Sequence, residues 1–251
     1  MDSGILSSFE IRRHSQNIGL PSVGLTGQEK IKSSKVLVIG AGGKGSGVLQ
    51  NLAMAGVGLI GICDNNLVDE QELPKQNLYG NKDIGKQKAI VSKQKLLEIN
   101  NLINIELHNI CISEKNIDQI CSVYDIIVDT TDTFEAHYLV NDMAIRQRKP
   151  FVYGSVQPPF LQVSVFNYKG GPSFKCLYPQ RIKENKDNNL TDIVSLGVHC
   201  TITGTIIANE VIKMIVGMEN TLSGKLLKFN VSDYTVNFEP IIKNEFNFKT
   251  T

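Results

Sequence analysis

The chain has 251 residues, within the range of one α/β domain and long enough to bury a large core. Its formal net charge is only +1, and no run of like charges forms an interaction tail, so neither nucleic acid nor an acidic membrane surface is implied as a partner. Residues 1–8 lack the basic and apolar regions of a secretory signal, no apolar stretch approaches the ~20 residues that span a bilayer, and the five cysteines are odd in number and dispersed. These features predict a cytoplasmic chain with reduced thiols, no disulfide frame and no membrane association.

Residues 1–33 read as a polar, helical N-terminal segment containing Arg12, Arg13 and His14, with a Gly- and Pro-bearing turn at 19–24. Lys35-Val36-Leu37-Val38-Ile39 is a short β-branched run and predicts a fully buried parallel strand. A glycine-rich turn at 40–47 follows, then a helix over about 48–55 and a strand at 59–63 that ends on Asp64. Residues 65–82 are polar and irregular. A helix fits 85–100, strands fit 103–107 and 125–128, and a helix over 134–148 is stopped by Pro150, which cannot continue it. Strands fit 151–156 and 161–167. Residues 168–193 are weakly patterned and predict a mobile crossing loop. An apolar helix over 202–216 and two strands, 225–231 and 234–238, complete the chain. This alternation predicts an α/β fold, a mostly parallel sheet flanked by helices with antiparallel strands added at the C-terminal end, in a single unit over 1–251.

Gly40-Ala41-Gly42-Gly43-Lys44-Gly45 leaves a strand and opens a helix, the setting a nucleotide-binding glycine fingerprint requires. Gly40 permits the tight turn, Gly42 lets backbone approach a phosphate or ribose, Gly45 lets helix and strand pack closely, and Gly43 is a further cofactor-binding candidate of the loop. The helix N-terminus offers N–H groups to an anion. Asp64 lies nineteen residues after Gly45, where a carboxylate can accept ribose hydroxyls. This is a Rossmann-like arrangement, and the loop alone does not separate ATP from NAD.

Beyond the loop, the chain resembles the ThiF/MoeB/HesA family, relatives of ubiquitin-activating enzymes. The resemblance runs from about residue 12 to 238. It is carried by Gly27-Gln28-Glu29-Lys30-Ile31, by the strand and glycine loop at 34–43, by Leu52-Ala53-Met54-Ala55-Gly56-Val57-Gly58, and by Asp83-Ile84-Gly85-Lys86-Gln87-Lys88-Ala89. Val128-Asp129-Thr130-Thr131-Asp132-Thr133 and the Asn209-Glu210-Val211-Ile212-Lys213 helix extend it. The resemblance implies adenylation of a carboxylate with ATP and magnesium, usually the C-terminal glycine of a small ubiquitin-like carrier ending in Gly-Gly, by a homodimer.

Carried over residue by residue, it assigns Lys88 to the triphosphate, Asp132 to magnesium, Asp64 to the ribose and Gln76 to the nucleotide loop. Lys75 stands where the family has arginine, keeping charge but losing the bidentate fork. Glu72 stands where it has asparagine, adding negative charge near the phosphates. Ser15 stands where it has an arginine lent across the dimer, a role open to Arg12 or Arg13. Two Cys-x-x-Cys pairs hold zinc in the family. Here the first reads Ser173-Phe174-Lys175-Cys176 and the second is absent, so no zinc is expected. The crossing loop at 191–196 lacks an acyl-accepting cysteine, and Cys200 reads as a buried small residue. Asp129 is the rival metal carboxylate, Asp132 doubles as a candidate helix N-cap, and His14, His108, His137 and His199 read as structural or surface residues. Two other functions stay in view. One is a degenerate relative that binds nucleotide or a partner without turnover, supported by Ser15, Glu72 and Lys75. The other is an NAD-dependent oxidoreductase.

Overall fold

The computed structural model describes residues 4–179 and 195–248. Eight strands form one sheet in the order β3-β2-β1-β4-β5-β6-β7-β8. The first five, β1 (Lys35–Ile39), β2 (Leu59–Cys63), β3 (Asn104–His108), β4 (Ile126–Asp129) and β5 (Phe151–Gln157), are parallel. β6 (Phe160–Phe166), β7 (Lys225–Asn230) and β8 (Val236–Pro240) continue the sheet antiparallel, as the late strand runs predict. Val36 to Ile39 of β1 are all buried, because parallel strands covered on both faces need continuous apolar runs.

Helices cover both faces. The N-terminal segment holds α1 (Ser8–Arg13), α2 (Ser15–Ile18) and α3 (Gly24–Ser33). α1 opens with a capping box in which Ser7 and Glu10 satisfy each other's backbone donors. α4 (Gly43–Ala55), α5 (Lys88–Ile99) and α9 (Gly197–Val216) pack with β1, β2, β5 and β6, and α7 (Phe134–Gln147) covers the other face. Each fully buried Leu or Ile, such as Leu49 or Ile207, contributes about 1.5–3 kcal/mol relative to exposure. Among the described residues, no helix is long and apolar enough to cross a membrane.

Several helix boundaries differ from the sequence reading. α4 begins at Gly43 instead of near 48, although glycine is a poor helix former. Tertiary packing overrides propensity here: a Cβ on Gly204 of α9 would lie 2.4 Å from the Lys44 carbonyl oxygen, so the two helices cross on bare backbone. α9 likewise begins at Gly197 instead of 202, and two short helices, α6 (Ile117–Cys121) and α8 (Phe174–Leu177), were not anticipated. Of the predicted crossing loop, residues 168–179 are ordered through α8, and 180–194, where most of that expectation falls, lie outside the described residues. Within α9, Glu210 is buried and accepts the Leu222 N–H at 2.7 Å and the Lys213 ammonium at 2.6 Å, tying the helix to the turn before β7.

Candidate nucleotide site

A pocket opens at the carboxyl ends of β1, β4 and β5. From β1 the chain moves to β2 on one side, while β4 flanks β1 on the other. This is the topological switch point where open α/β sheets bind ligands. Its floor is the glycine loop. Gly40 has φ +94°, a conformation that favours glycine, and a Cβ on Gly45 would sit 2.0 Å from the Gly40 carbonyl oxygen. Gly42 caps α4 without any side-chain bond, so first-turn N–H groups stay open to an anion. A Cβ on Gly42 would meet nothing within 4 Å, which marks open space above it.

Asp64 braces this loop. Its Oδ2 accepts the Ala41 N–H and its Oδ1 the Asn66 N–H, both at 2.7 Å. Tyr79 donates its hydroxyl to the Ala41 carbonyl at 2.8 Å, and burial pushes the Tyr79 phenol well above its ordinary range. Thr130 ties the loop to the end of β4 by donating to the Ile39 and Gly40 carbonyls at 2.9 and 2.8 Å.

Three lysines surround the loop. Lys44, second in α4, is 6% exposed; its Nζ donates to the Thr131 carbonyl at 2.8 Å and to Asp132 Oδ1 at 2.9 Å. Lys75 lines the pocket and is half-buried. Lys88, at the start of α5, is buried instead of standing on a solvated face, and pairs with Glu72 Oε2 at 2.5 Å. The same Glu72 oxygen accepts from Gln76 Nε2 at 2.9 Å. Glu72 therefore gathers two of the residues assigned to nucleotide, and stands in the pocket wall with Lys88 behind it. Gln76 Oε1 is buried with no hydrogen-bond partner among the described residues, an acceptor left for a ligand donor.

The two carboxylates at the carboxyl end of β4, Asp129 within it and Asp132 just past it, have separate roles. Asp129 is fully buried, with Oδ1 accepting the Thr131 N–H (3.1 Å) and hydroxyl (2.7 Å) and Oδ2 facing His137 Nδ1 at 2.8 Å. Burial raises its carboxyl, but His137 and the Thr131 donors outweigh that and hold it below the ordinary 3.8. Both Asp129 oxygens are committed inside the fold, where they orient the 130–132 turn. Asp132 projects outward, 73% exposed. Partial desolvation raises its carboxyl, and the Lys44 ammonium, aided by His137 and Lys75, brings it below the usual value. The N-cap of α7 is Thr133, whose hydroxyl accepts the Ala136 N–H at 3.2 Å, so Asp132 does not cap that helix.

His137 and Lys44 are among the residues of this wall that sequence reasoning missed. His137 is not merely structural or surface: buried and braced by Asp129, it lines the pocket beside Tyr153. Lys44 sits within the glycine loop, and that position was the available signal. Cys200 is buried as expected, yet its side chain also reaches the pocket. Arg13 is not brought to the pocket. Its guanidinium donates to the Ile99 carbonyl at the far end of α5, which runs twelve residues, about 18 Å, from Lys88.

At the other edge, Cys176 Sγ meets Ser173 Oγ at 3.5 Å, accepts the Asn244 N–H at 3.3 Å and the Asn247 amide at 3.5 Å. Burial raises this thiol, but the donors from Asn247, Ser173 and Asn244 outweigh it and bring it below its ordinary value. Asn244 and Asn247 repeat the Ser173–Cys176 spacing, so a one-thiol hydrogen-bonded cluster joins α8 to the C-terminal segment. Among the described residues, no three His, Cys, Asp or Glu side chains gather around a metal position.

Fold and loop together define an open α/β protein with a glycine-rich turn and an uncapped helix N-terminus at its switch point. The ThiF family's sequence profile matches residues 14–247, and the chain belongs to that family. It is 39% identical over 240 residues to the "Probable molybdopterin-synthase adenylyltransferase" of Porphyra purpurea, covering 94% of this chain and 62% of that protein. It is 34% identical over 226 residues to the "Sulfur carrier protein adenylyltransferase" of Thermus thermophilus, covering 88% and 83%. The chain thus spans less than two thirds of the Porphyra relative's length. The crystal structure of E. coli MccB with ATP shares the fold at a TM-score of 0.78 and 22% identity, covering 97% of this chain and 74% of that one.

Proposed function

We propose that this chain, as one adenylation unit over residues 1–251, is an adenylyltransferase that uses ATP and magnesium. Its substrate is the C-terminal glycine carboxylate of a small ubiquitin-like sulfur-carrier protein ending in Gly-Gly. The observation that carries the reading is the pocket itself: an uncapped helix N-terminus, Lys44, Lys75 and the outward Asp132 converge at the switch point. The adenylyltransferase names of the relatives and the ATP held by E. coli MccB support it.

In the reaction, a carboxylate oxygen attacks the α-phosphorus. A C–O–P linkage forms, the bond from the α-phosphorus to the bridging oxygen of the β-phosphate breaks, and pyrophosphate leaves with that electron pair. The attacking group is already ionised, so no proton moves. The work left to the protein is charge stabilisation, which here falls to the α4 N–H groups and the lysines. Asp64 keeps the loop in shape and offers remaining lone pairs to ribose, and Gln76 Oε1 accepts a nucleoside donor. Asp132 fits magnesium, because that ion commonly takes one or two carboxylates plus substrate phosphates, and Oδ2 has no partner among the described residues. When bound, the ion offsets charge on the phosphates. Asp129 positions Thr131, whose carbonyl in turn holds Lys44.

Arg13, distant from its own pocket, serves a neighbouring subunit's site in a homodimer; the protein is cytoplasmic and carries no zinc. Glu72 favours a second reading, a nucleotide-binding relative without turnover, because it occupies Lys88. Calorimetry with ATP and NAD, followed by mass spectrometry of a Gly-Gly carrier incubated with the protein and ATP, tests both. The proposal expects ATP to bind more tightly than NAD and an AMP-conjugated carrier to form. Tighter NAD binding would overturn it, and ATP binding without any conjugate would support the second reading.

A further inference from the structure

Lys44 is a buried cation with an exposed anion. The lysine is 6% exposed, while its partner Asp132 is 73% exposed. The backbone of Lys44 is sealed, because Gly204 of α9 packs on its carbonyl, yet the residue lines the pocket. An ammonium carries three N–H donors, and two have partners among the described residues, Thr131 O and Asp132 Oδ1. Asp132 can turn toward solvent on its own side-chain torsions, whereas the lysine is held. An anion entering the pocket therefore meets a fixed ammonium whose present acceptor is replaceable.

Glu72, which lines the same pocket, repeats the arrangement with Lys88 behind it. Lys88 is 4% exposed and Glu72 is 42% exposed, at 2.5 Å. Two lysines are thus held ready by carboxylates that face solvent, beside an uncapped helix N-terminus. The unpartnered, buried Gln76 Oε1 in the same wall independently points to a ligand. Phosphate oxygens form short charge-assisted bonds with such ammonium groups.

We propose that Lys44 is a phosphate-binding residue of this pocket, exchanging Asp132 for a β- or γ-phosphate oxygen, so that a nucleoside triphosphate binds without a divalent cation. The inference rests on the nucleotide reading of the pocket. The exchange would release Asp132 to hold a divalent ion, which would supply charge stabilisation for the chemistry and add little to binding.

Calorimetric titration with ATP in EDTA and in magnesium tests this on the full chain. Wild type should bind ATP in EDTA within about threefold of its affinity in magnesium. Lys44→Met should lose at least about tenfold in EDTA, with AMP binding unchanged. Asp132→Asn, a change at an exposed side chain that leaves the fold intact even if Lys44→Met does not fold, should free Lys44 and tighten ATP in EDTA. Wild type binding ATP only with magnesium would overturn the inference while leaving the nucleotide reading standing. So would Asp132→Asn weakening or not altering affinity in EDTA. Absence of ATP binding under both conditions would overturn the nucleotide reading and the inference with it.

Discussion

Glu72 lies 2.5 Å from Lys88, and a triphosphate that uses Lys88 must first displace it. A hydrogen bond between charged partners is worth about 1.5–3 kcal/mol net. Glu72 is 42% exposed, so solvent screening reduces its share to about 1 kcal/mol. Replacing Glu72 by Gln keeps an oxygen to accept from Lys88 and Gln76 but removes the competing charge. At roughly 1.4 kcal/mol per tenfold, ATP affinity should rise about fivefold. Loss of the pair should lower Tm by about 2–4 °C for a chain of this size. Calorimetry with ATP and AMP, with a thermal melt, reads both effects. An unchanged or weaker ATP affinity in Glu72→Gln would refute the reasoning, because it would mean that Glu72 and phosphate do not compete for Lys88.

Gly42→Ala should fold normally, since its Cβ meets nothing within 4 Å, yet lose at least about tenfold in ATP affinity measured by calorimetry; Gly45→Ala should lose about 3 kcal/mol in urea unfolding, its Cβ falling 2.0 Å from a carbonyl oxygen. Asp129 has a depressed carboxyl in the folded state, so it contributes stability that is full above about pH 5 and is lost as pH falls through the folded value, below 3.8. Urea midpoints should therefore drop more steeply on acidification in wild type than in Asp129→Asn. Burial pushes the Cys63 and Cys121 thiols to about 12, while Cys176 lies below its ordinary value. Mild iodoacetamide should accordingly label Cys176 and the exposed Cys111 but spare Cys63 and Cys121, as read by mass spectrometry, and elemental analysis should find zinc well below one per chain.

The strands and the glycine loop were legible because their signals are local: β-branched runs, punctuating glycines, and Asp64 at the end of β2. What was not legible depends on contacts between distant segments. Lys44 reads as one more helix lysine until the 130–132 turn supplies its acceptors. Glu72 reads as a charge facing phosphate until Lys88, sixteen residues on, is folded against it. His137 gains its place only when the start of α7 brings it to Asp129. The helical state of the glycines from 43 to 47 follows from the approach of α9, which no local propensity encodes. The Cys176 cluster needs the C-terminal segment, 68 residues away at Asn244, to come back onto α8.

Exchange of labelled pyrophosphate into ATP tests adenylation most directly, with magnesium and a panel of small carrier proteins ending in Gly-Gly. The account predicts label in ATP that depends on both the carrier and the protein, falling about a hundred- to thousandfold in Asp132→Ala while circular dichroism stays unchanged. Exchange unaffected by Asp132→Ala, or absent from wild type with every carrier although ATP binds, would contradict it.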